Sequence, residues 1–265
     1  MLHQNKNVVI YGGGGVIGSA VARAFAAEGA HLFLAGKTLH KVEAVAKGIV
    51  QAGGKASAAH VDALDAAAVE KHLEGIVKEA GSVDVVFNAI GVYHKQVVPL
   101  VELSPDDYMQ PISTYLRSFF ITSTAAARQM MKKKRGVILT LSSTATIMID
   151  SVSGGFSVAC AATEVFSRQL ALEVGKYGIR VVCLRPDGIS ETPSHGSHAK
   201  RVFGERAASM GVTLDEMLME AAKRTLLGRG VQLTDVGDAA VFAASEKAAM
   251  ITGTVFNLSG GSVTA

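Results

Sequence analysis

The sequence predicts an α/β fold, a doubly wound parallel sheet of seven strands with helices on both faces, and three observations predict it. Short β-branched or apolar runs alternate with Ala-rich stretches of helical period, the pattern of strands buried on both faces. Four consecutive glycines, Gly12 to Gly15, separate the first such strand from the first such helix. No Pro/Ser-rich or charge-rich linker divides the 265 residues, so a single domain is expected.

Taken in order, the strands are expected over Asn7 to Tyr11, His31 to Ala35, Ala56 to His60, Val83 to Asn88, Gly136 to Leu141, Arg180 to Leu184 and Thr254 to Leu258. Each is a short β-branched or apolar run of the length a buried strand needs. Between them the helical period holds over Val16 to Glu28, Leu39 to Gln51, Ala66 to Ala80, Pro105 to Lys133, Phe156 to Tyr177 and Asp235 to Ala244. The basic run Lys132 to Arg135 ends one of these helices, where cations meet the negative end of the helix dipole. Residues 189–230 break the alternation: rich in Ser, His, Met and charge, with helical stretches but no strand, they are expected to lie over the C-terminal strand edge as a substrate lid.

Composition narrows the function. The apolar runs, such as Val83 to Ile90, are broken long before the ~20 residues a membrane span requires. The polar N-terminus leads directly into a strand and reads as no signal segment, so a cytoplasmic location is expected. Two cysteines, Cys160 and Cys183, are too few for a disulfide framework. A net charge of +3 gives no support to nucleic-acid binding.

The glycine turn Gly12-Gly13-Gly14-Gly15-Val16-Ile17-Gly18 follows a strand and opens a helix. Glycines let the backbone approach a pyrophosphate, whose charge then meets free N–H groups at the positive helix end. The second strand ends Ala35-Gly36-Lys37, with no acid to hold the adenosine ribose hydroxyls and a lysine able to pair with a 2′-phosphate, so NADP(H) is expected over NAD(H).

With these segments placed, the chain resembles the short-chain dehydrogenase/reductase family along nearly its whole length. The matching pieces are Tyr11-Gly12-x-x-Gly15-x-x-Gly18, Val61-Asp62, Asn88-Ala89-Ile90-Gly91, Ser142-Ser143, Arg180-Val181-Val182 and Ile251-Thr252-Gly253 through Gly260-Gly261. The resemblance implies a Rossmann-type oxidoreductase acting on a carbonyl or alcohol of a small molecule. It puts Asp62 against the adenine, the segment of Asn88 and Gly91 behind the adenosine ribose, and Pro186 and Gly188 beside the nicotinamide, although the family's Pro-Gly has become Pro186-Asp187-Gly188. It also implies a homotetramer, with the helices that start near Pro105 and Phe156 as subunit faces and Thr124 to Ala127 and Ala159 to Thr163 as their small-residue surfaces.

The catalytic positions break the pattern. The family's Asn, Ser, Tyr and Lys fall on Tyr115, Ser143, Phe156 and Cys160. Phenylalanine has no proton to give, and a thiol cannot supply the fixed charge that makes a neighbouring phenol acidic. No tyrosine lies between Tyr115 and Tyr177 to serve in a shifted position. Ser143 is the retained catalytic residue, and Tyr115 is expected to place its ring beside Phe156 and Ser143 as a surrogate acid or as a filler. Two classes stay open: an oxidoreductase without the standard acid, and a catalytically silent dinucleotide- or ligand-binding protein used as a sensor or assembly element.

Weaker candidates surround this site. Tyr93 and His94 sit on the loop after the fourth strand, close to where substrate would lie. His195 and His198 stand three apart in the lid without an acidic or thiol ligand beside them, so no metal is expected. Cys160 reads as inert packing, and Met210, Met217 and Met219 as an adaptable apolar wall.

Overall fold

The computed structural model describes residues 1–148 and 153–264. Seven parallel strands form one sheet: β1 (Asn7–Tyr11), β2 (His31–Gly36), β3 (Lys55–His60), β4 (Val85–Asn88), β5 (Gly136–Leu141), β6 (Ile179–Pro186) and β7 (Thr254–Leu258), in the order β3-β2-β1-β4-β5-β6-β7. The helices are α1 (Val16–Ala27), α2 (Leu39–Gln51), α3 (Ala66–Ala80), α4 (Pro105–Lys133), α5 (Gly155–Val174), α6 (Ala199–Ser209), α7 (Leu214–Lys223) and α8 (Leu233–Ala244). This is the expected doubly wound sheet. Its strand order reverses direction between β1 and β4, and the crevice beyond their C-terminal ends is where such sheets bind ligands.

Strand alternation divides the core between the two faces. Val8, Ile10, Leu32, Leu34, Val85 and Phe87 meet Val21 and Phe25 of α1 and Val236 and Ala240 of α8. Val9, Phe33, Val86 and Ile138 meet Leu73 and Ile76 of α3 and Ala125, Ala126 and Met130 of α4. The fourth strand starts at Val85 rather than Val83 because Asp84 turns its carboxylate to the Asn7 amide at 2.9 Å and the Ser82 hydroxyl at 3.0 Å. The fifth long helix ends at Val174, and Gly175–Tyr177 tightens into a 3₁₀ turn.

Residues 189–230 carry the helices α6 and α7 and no named strand, and an isolated parallel bridge joins Ile189 to Val231. One expectation is corrected here. Ala125, Ala126, Ala127, Ala159 and Thr163 are not surface residues, being 0–3% exposed against the chain's own core. The outer face of α4 and α5 instead exposes Phe120, Val158, Val165 and Leu172. The basic end of α4 behaves as expected: Lys132 and Lys133 lie in the last turn, and Arg135 reaches Asp84 at 3.6 Å. Among the described residues no helix is long and apolar enough to cross a membrane.

Candidate active site

A cavity of about 1280 Å³ runs along the C-terminal edge of the sheet. That exceeds the roughly 300–1,000 Å³ of ordinary ligand pockets and leaves room for a dinucleotide and a second small molecule. Gly12, Gly15, Val16, Ile17, Lys37, Asp62, Gly91, Tyr115, Ser143, Phe156, Pro186 and Gly188 all line it.

At the β1 end the chain turns at Gly12, whose φ of +77° favours glycine and whose added Cβ would stand 2.9 Å from the Ala89 carbonyl. A Cβ on Gly18 would collide with the Gly12 carbonyl oxygen, so Gly18 supports the turn from below and does not line the cavity. Gly15 caps α1 without a side-chain hydrogen bond, and the first turn holds no acid. The helix therefore presents uncapped N–H groups and its positive end to the cavity, a cradle that fits a pyrophosphate.

Lys37 and Asp62 meet across the neighbouring rim at 3.0 Å. Burial would raise the Asp62 carboxyl, but the Leu64 amide and Lys37 together hold it below its ordinary value. Asn88 is 1% exposed and faces away from the cavity; its amide donates to the Thr122 hydroxyl at 3.0 Å and its oxygen accepts the Ile90 amide at 2.9 Å, so it shapes the wall that Ala89, Ile90 and Gly91 present.

The centre of the cavity is aromatic. Phe156 stacks against His94 with ring centroids 4.1 Å apart and planes 5° from parallel, and Tyr115 meets Phe156 edge-on at 5.8 Å. The Tyr115 ring thus stands beside Phe156 as expected, but its hydroxyl donates to the Leu141 carbonyl at 3.1 Å rather than to Ser143. Burial pushes that phenol well above its ordinary value, which opposes a role as surrogate acid. His94 is 5% exposed; it donates from Nδ1 to the Val92 carbonyl at 3.2 Å and accepts the Gln96 amide at Nε2 at 3.0 Å. Burial lowers its pKa to about 4, so it is neutral near pH 7 with both nitrogens engaged.

Ser143 lines the cavity, and its oxygen accepts the Ala145 amide at 3.3 Å, leaving the hydroxyl proton for another partner. Cys160 lies beneath the floor at 0% exposure, with burial pushing the thiol well above its ordinary value; Cys183 is pushed up to about 12 by the same cause. A polar cluster absent from the sequence reading lies behind them: Glu164 accepts the Ser142 hydroxyl at 2.7 Å and faces Arg185 at 3.5 Å, both side chains nearly buried. Asp187, the extra residue after Pro186, accepts the Thr144 hydroxyl at 2.8 Å, the Gly188 amide at 2.7 Å and the Ser262 hydroxyl. These bonds fix the loop despite its added residue.

Residues 189–230 meet the loop after β4 directly. Tyr93 donates to the Glu205 carboxylate at 3.0 Å, and the Arg201 guanidinium sits 3.9 Å from the Tyr93 ring centre. His198 packs its ring over Gly91, while His195 turns Nδ1 to the Glu191 carbonyl at 2.8 Å, so the two histidines serve different contacts. Met210 and Met217 line the cavity; Met219 does not.

Known proteins are similar to this chain in sequence and in fold. A family model described as enoyl-(acyl carrier protein) reductase matches residues 14–263. The meso-2,3-butanediol dehydrogenase of Serratia marcescens is 29% identical over 98% of this chain and 96% of its own length. An uncharacterized oxidoreductase, YuxG of Bacillus subtilis, is also 29% identical over 97% of this chain, which spans only 37% of that protein. Among solved structures, the sorbitol-6-phosphate 2-dehydrogenase SrlD of Erwinia amylovora superposes with a TM-score of 0.87 at 26% identity, covering 97% of this chain and 100% of that one. With the strand order, the glycine turn and the motif series in place, the chain belongs to the short-chain dehydrogenase/reductase family, whose members are oxidoreductases that bind a nicotinamide dinucleotide.

Proposed function

We propose that this protein is an NADP(H)-dependent oxidoreductase of small molecules whose floor retains Ser143 but works without the family's proton donor. The observation that carries the reading is the continuity of one cavity from the uncapped α1 terminus to Ser143 and Phe156. Gly12, Gly15, Val16 and Ile17 would receive the pyrophosphate, Gly18 would hold their turn, and Lys37 would exchange its Asp62 partner for a 2′-phosphate. Asp62 would face the adenine, Gly91 and the Asn88-braced wall the adenosine ribose, and Pro186 and Gly188 the nicotinamide. A bound nicotinamide dinucleotide supplies the hydride.

The protein's own part is to bind, orient and exclude water. Ser143 donates a hydrogen bond to a substrate oxygen. Phe156, backed by His94, closes the floor with apolar surface where the family places its acid. Tyr115 anchors the end of β5 and fills volume rather than moving a proton. On a carbonyl or alcohol, hydride transfer is then slowed by the missing acid/base contribution, about 10²- to 10⁴-fold.

The sheet with its helices acts as one dinucleotide-binding domain, and residues 189–230 as its substrate lid. The exposed Phe120, Val158, Val165 and Leu172 suit α4 and α5 to twofold contacts of a homotetramer. Two free buried thiols accord with a cytoplasmic protein. Titration of NADPH fluorescence tests the reading: saturable binding with a lower Kd than NADH is expected, and no binding of either dinucleotide would overturn it.

A further inference from the structure

We infer that the cavity floor is built for a cationic substrate whose reactive bond is C=N⁺, an iminium, rather than for a neutral carbonyl. The inference deepens the oxidoreductase reading and rests on its hydride transfer. Reduction of a carbonyl needs a hydride at carbon and a proton at oxygen. Among the described residues the side chains nearest Phe156 offer no ready acid for the second: Tyr115 is committed to the Leu141 carbonyl, both His94 nitrogens are engaged, burial lowers the pKa of His198, which packs over Gly91, and Ser143 is an ordinary hydroxyl. An iminium needs only the first. Its carbon gains the hydride carried by the reduced dinucleotide, the π pair of C=N⁺ becomes a lone pair on nitrogen, and the products are a neutral amine and the oxidised dinucleotide, with no proton taken up or released.

The electrostatics of the floor shift in the same direction. The family's lysine would repel a cation, and the residue in its place, Cys160, is a buried thiol. The residue added after Pro186 is an acid, and Asp187 lines the cavity with its carboxylate held by Thr144, Gly188 and Ser262. Phe156 lines the cavity within an aromatic cluster, one face stacked on the neutral His94 and Tyr115 beside it, and an aromatic wall attracts a cation more than an aliphatic one does where water is excluded. The cavity's arginines, Arg206 and Arg224, come from the lid segment, and its lysines, Lys37 and Lys41, flank the end where Asp62 lies. Three departures from the family pattern, at Phe156, Cys160 and Asp187, thus remove a proton donor, remove a positive charge and add a negative one.

The test compares an N-methyl dihydroisoquinolinium salt with tetralone, a neutral ketone of the same ring size. Calorimetric titration of the protein without cofactor is expected to show the iminium binding about tenfold more tightly. Phe156→Leu should weaken the iminium about fivefold more than the ketone, and NADPH should be consumed with the iminium but not with tetralone. Equal or tighter binding of tetralone, or equal losses for both ligands in Phe156→Leu, would overturn the cation site. An iminium that binds but is never reduced, in protein shown to bind NADPH, would overturn the reaction. If NADPH itself fails to bind, the oxidoreductase reading falls, and the titration without cofactor still decides whether the floor prefers a cation.

Discussion

The two ends of the cavity offer different things. At the β1 end the glycine turn, the uncapped α1 terminus and the Lys37–Asp62 rim suit a dinucleotide. Around Ser143 the positions that would move a proton hold a phenylalanine and a thiol, while the surrounding network is tightly made: Ser142 to Glu164, Glu164 to Arg185, Thr144 to Asp187. The floor is lined by aromatic contacts between Phe156, His94 and Tyr115, so what separates the two ends is a backbone cradle at one and stacked rings at the other.

That contrast can be broken first at the glycine turn. Gly18→Ala forces a Cβ against the Gly12 carbonyl and should weaken NADPH by about a hundredfold, measured by fluorescence titration; unchanged affinity would mean that the turn does not hold the cofactor. On the other side, Glu164→Ala leaves Arg185 without its carboxylate and the Ser142 hydroxyl without its acceptor. Breaking such a buried pair costs about 3–5 kcal/mol, readable as a lower urea midpoint. A loss under about 1 kcal/mol would show the cluster to be solvated.

Acid stability sharpens the comparison further, because the buried His94 belongs to the floor. Its folded pKa of about 4 lies below the unfolded value of 6.5, so the unfolded chain binds the proton first as pH falls. Its contribution is present above pH ~6.5, is lost between ~6.5 and ~4, and changes no further below that. Urea unfolding at pH 7 and 4.5 should differ by about 2 kcal/mol more in the wild type than in His94→Asn. The smallest effect is expected at the rim. Lys37→Ala should reduce the preference for NADPH over NADH about tenfold, the scale of one exposed charge-assisted contact.

Much of this was legible in the sequence, and the parts that were not share a physical cause. Strand runs such as Val8 to Ile10 and the glycine turn are local signals, and both the sheet and the cradle follow from them. Helix and strand ends missed where a side chain intervened, as when the Asp84 carboxylate takes the Asn7 amide and delays β4. The small residues of Thr124 to Ala127 suit a subunit contact as well as internal packing, and only the position of the sheet shows that Ala125 to Ala127 are internal. The floor was legible as substitutions at Phe156 and Cys160. Its network was not, because Glu164–Arg185 and Thr144–Asp187 join residues far apart in sequence, and Asp187 looked like an interruption of a motif rather than the anchor of its loop.

The most direct test of the central claim, retained dinucleotide binding without the family's proton donor, is steady-state turnover of a simple ketone at saturating NADPH by the wild type and by Phe156→Tyr combined with Cys160→Lys. The account predicts that the double variant exceeds the wild type by about 10²-fold or more, since it restores both the donor and the cation that tunes it. Wild-type turnover in the ordinary range of about 1–10³ s⁻¹, unimproved by the two substitutions, would contradict it.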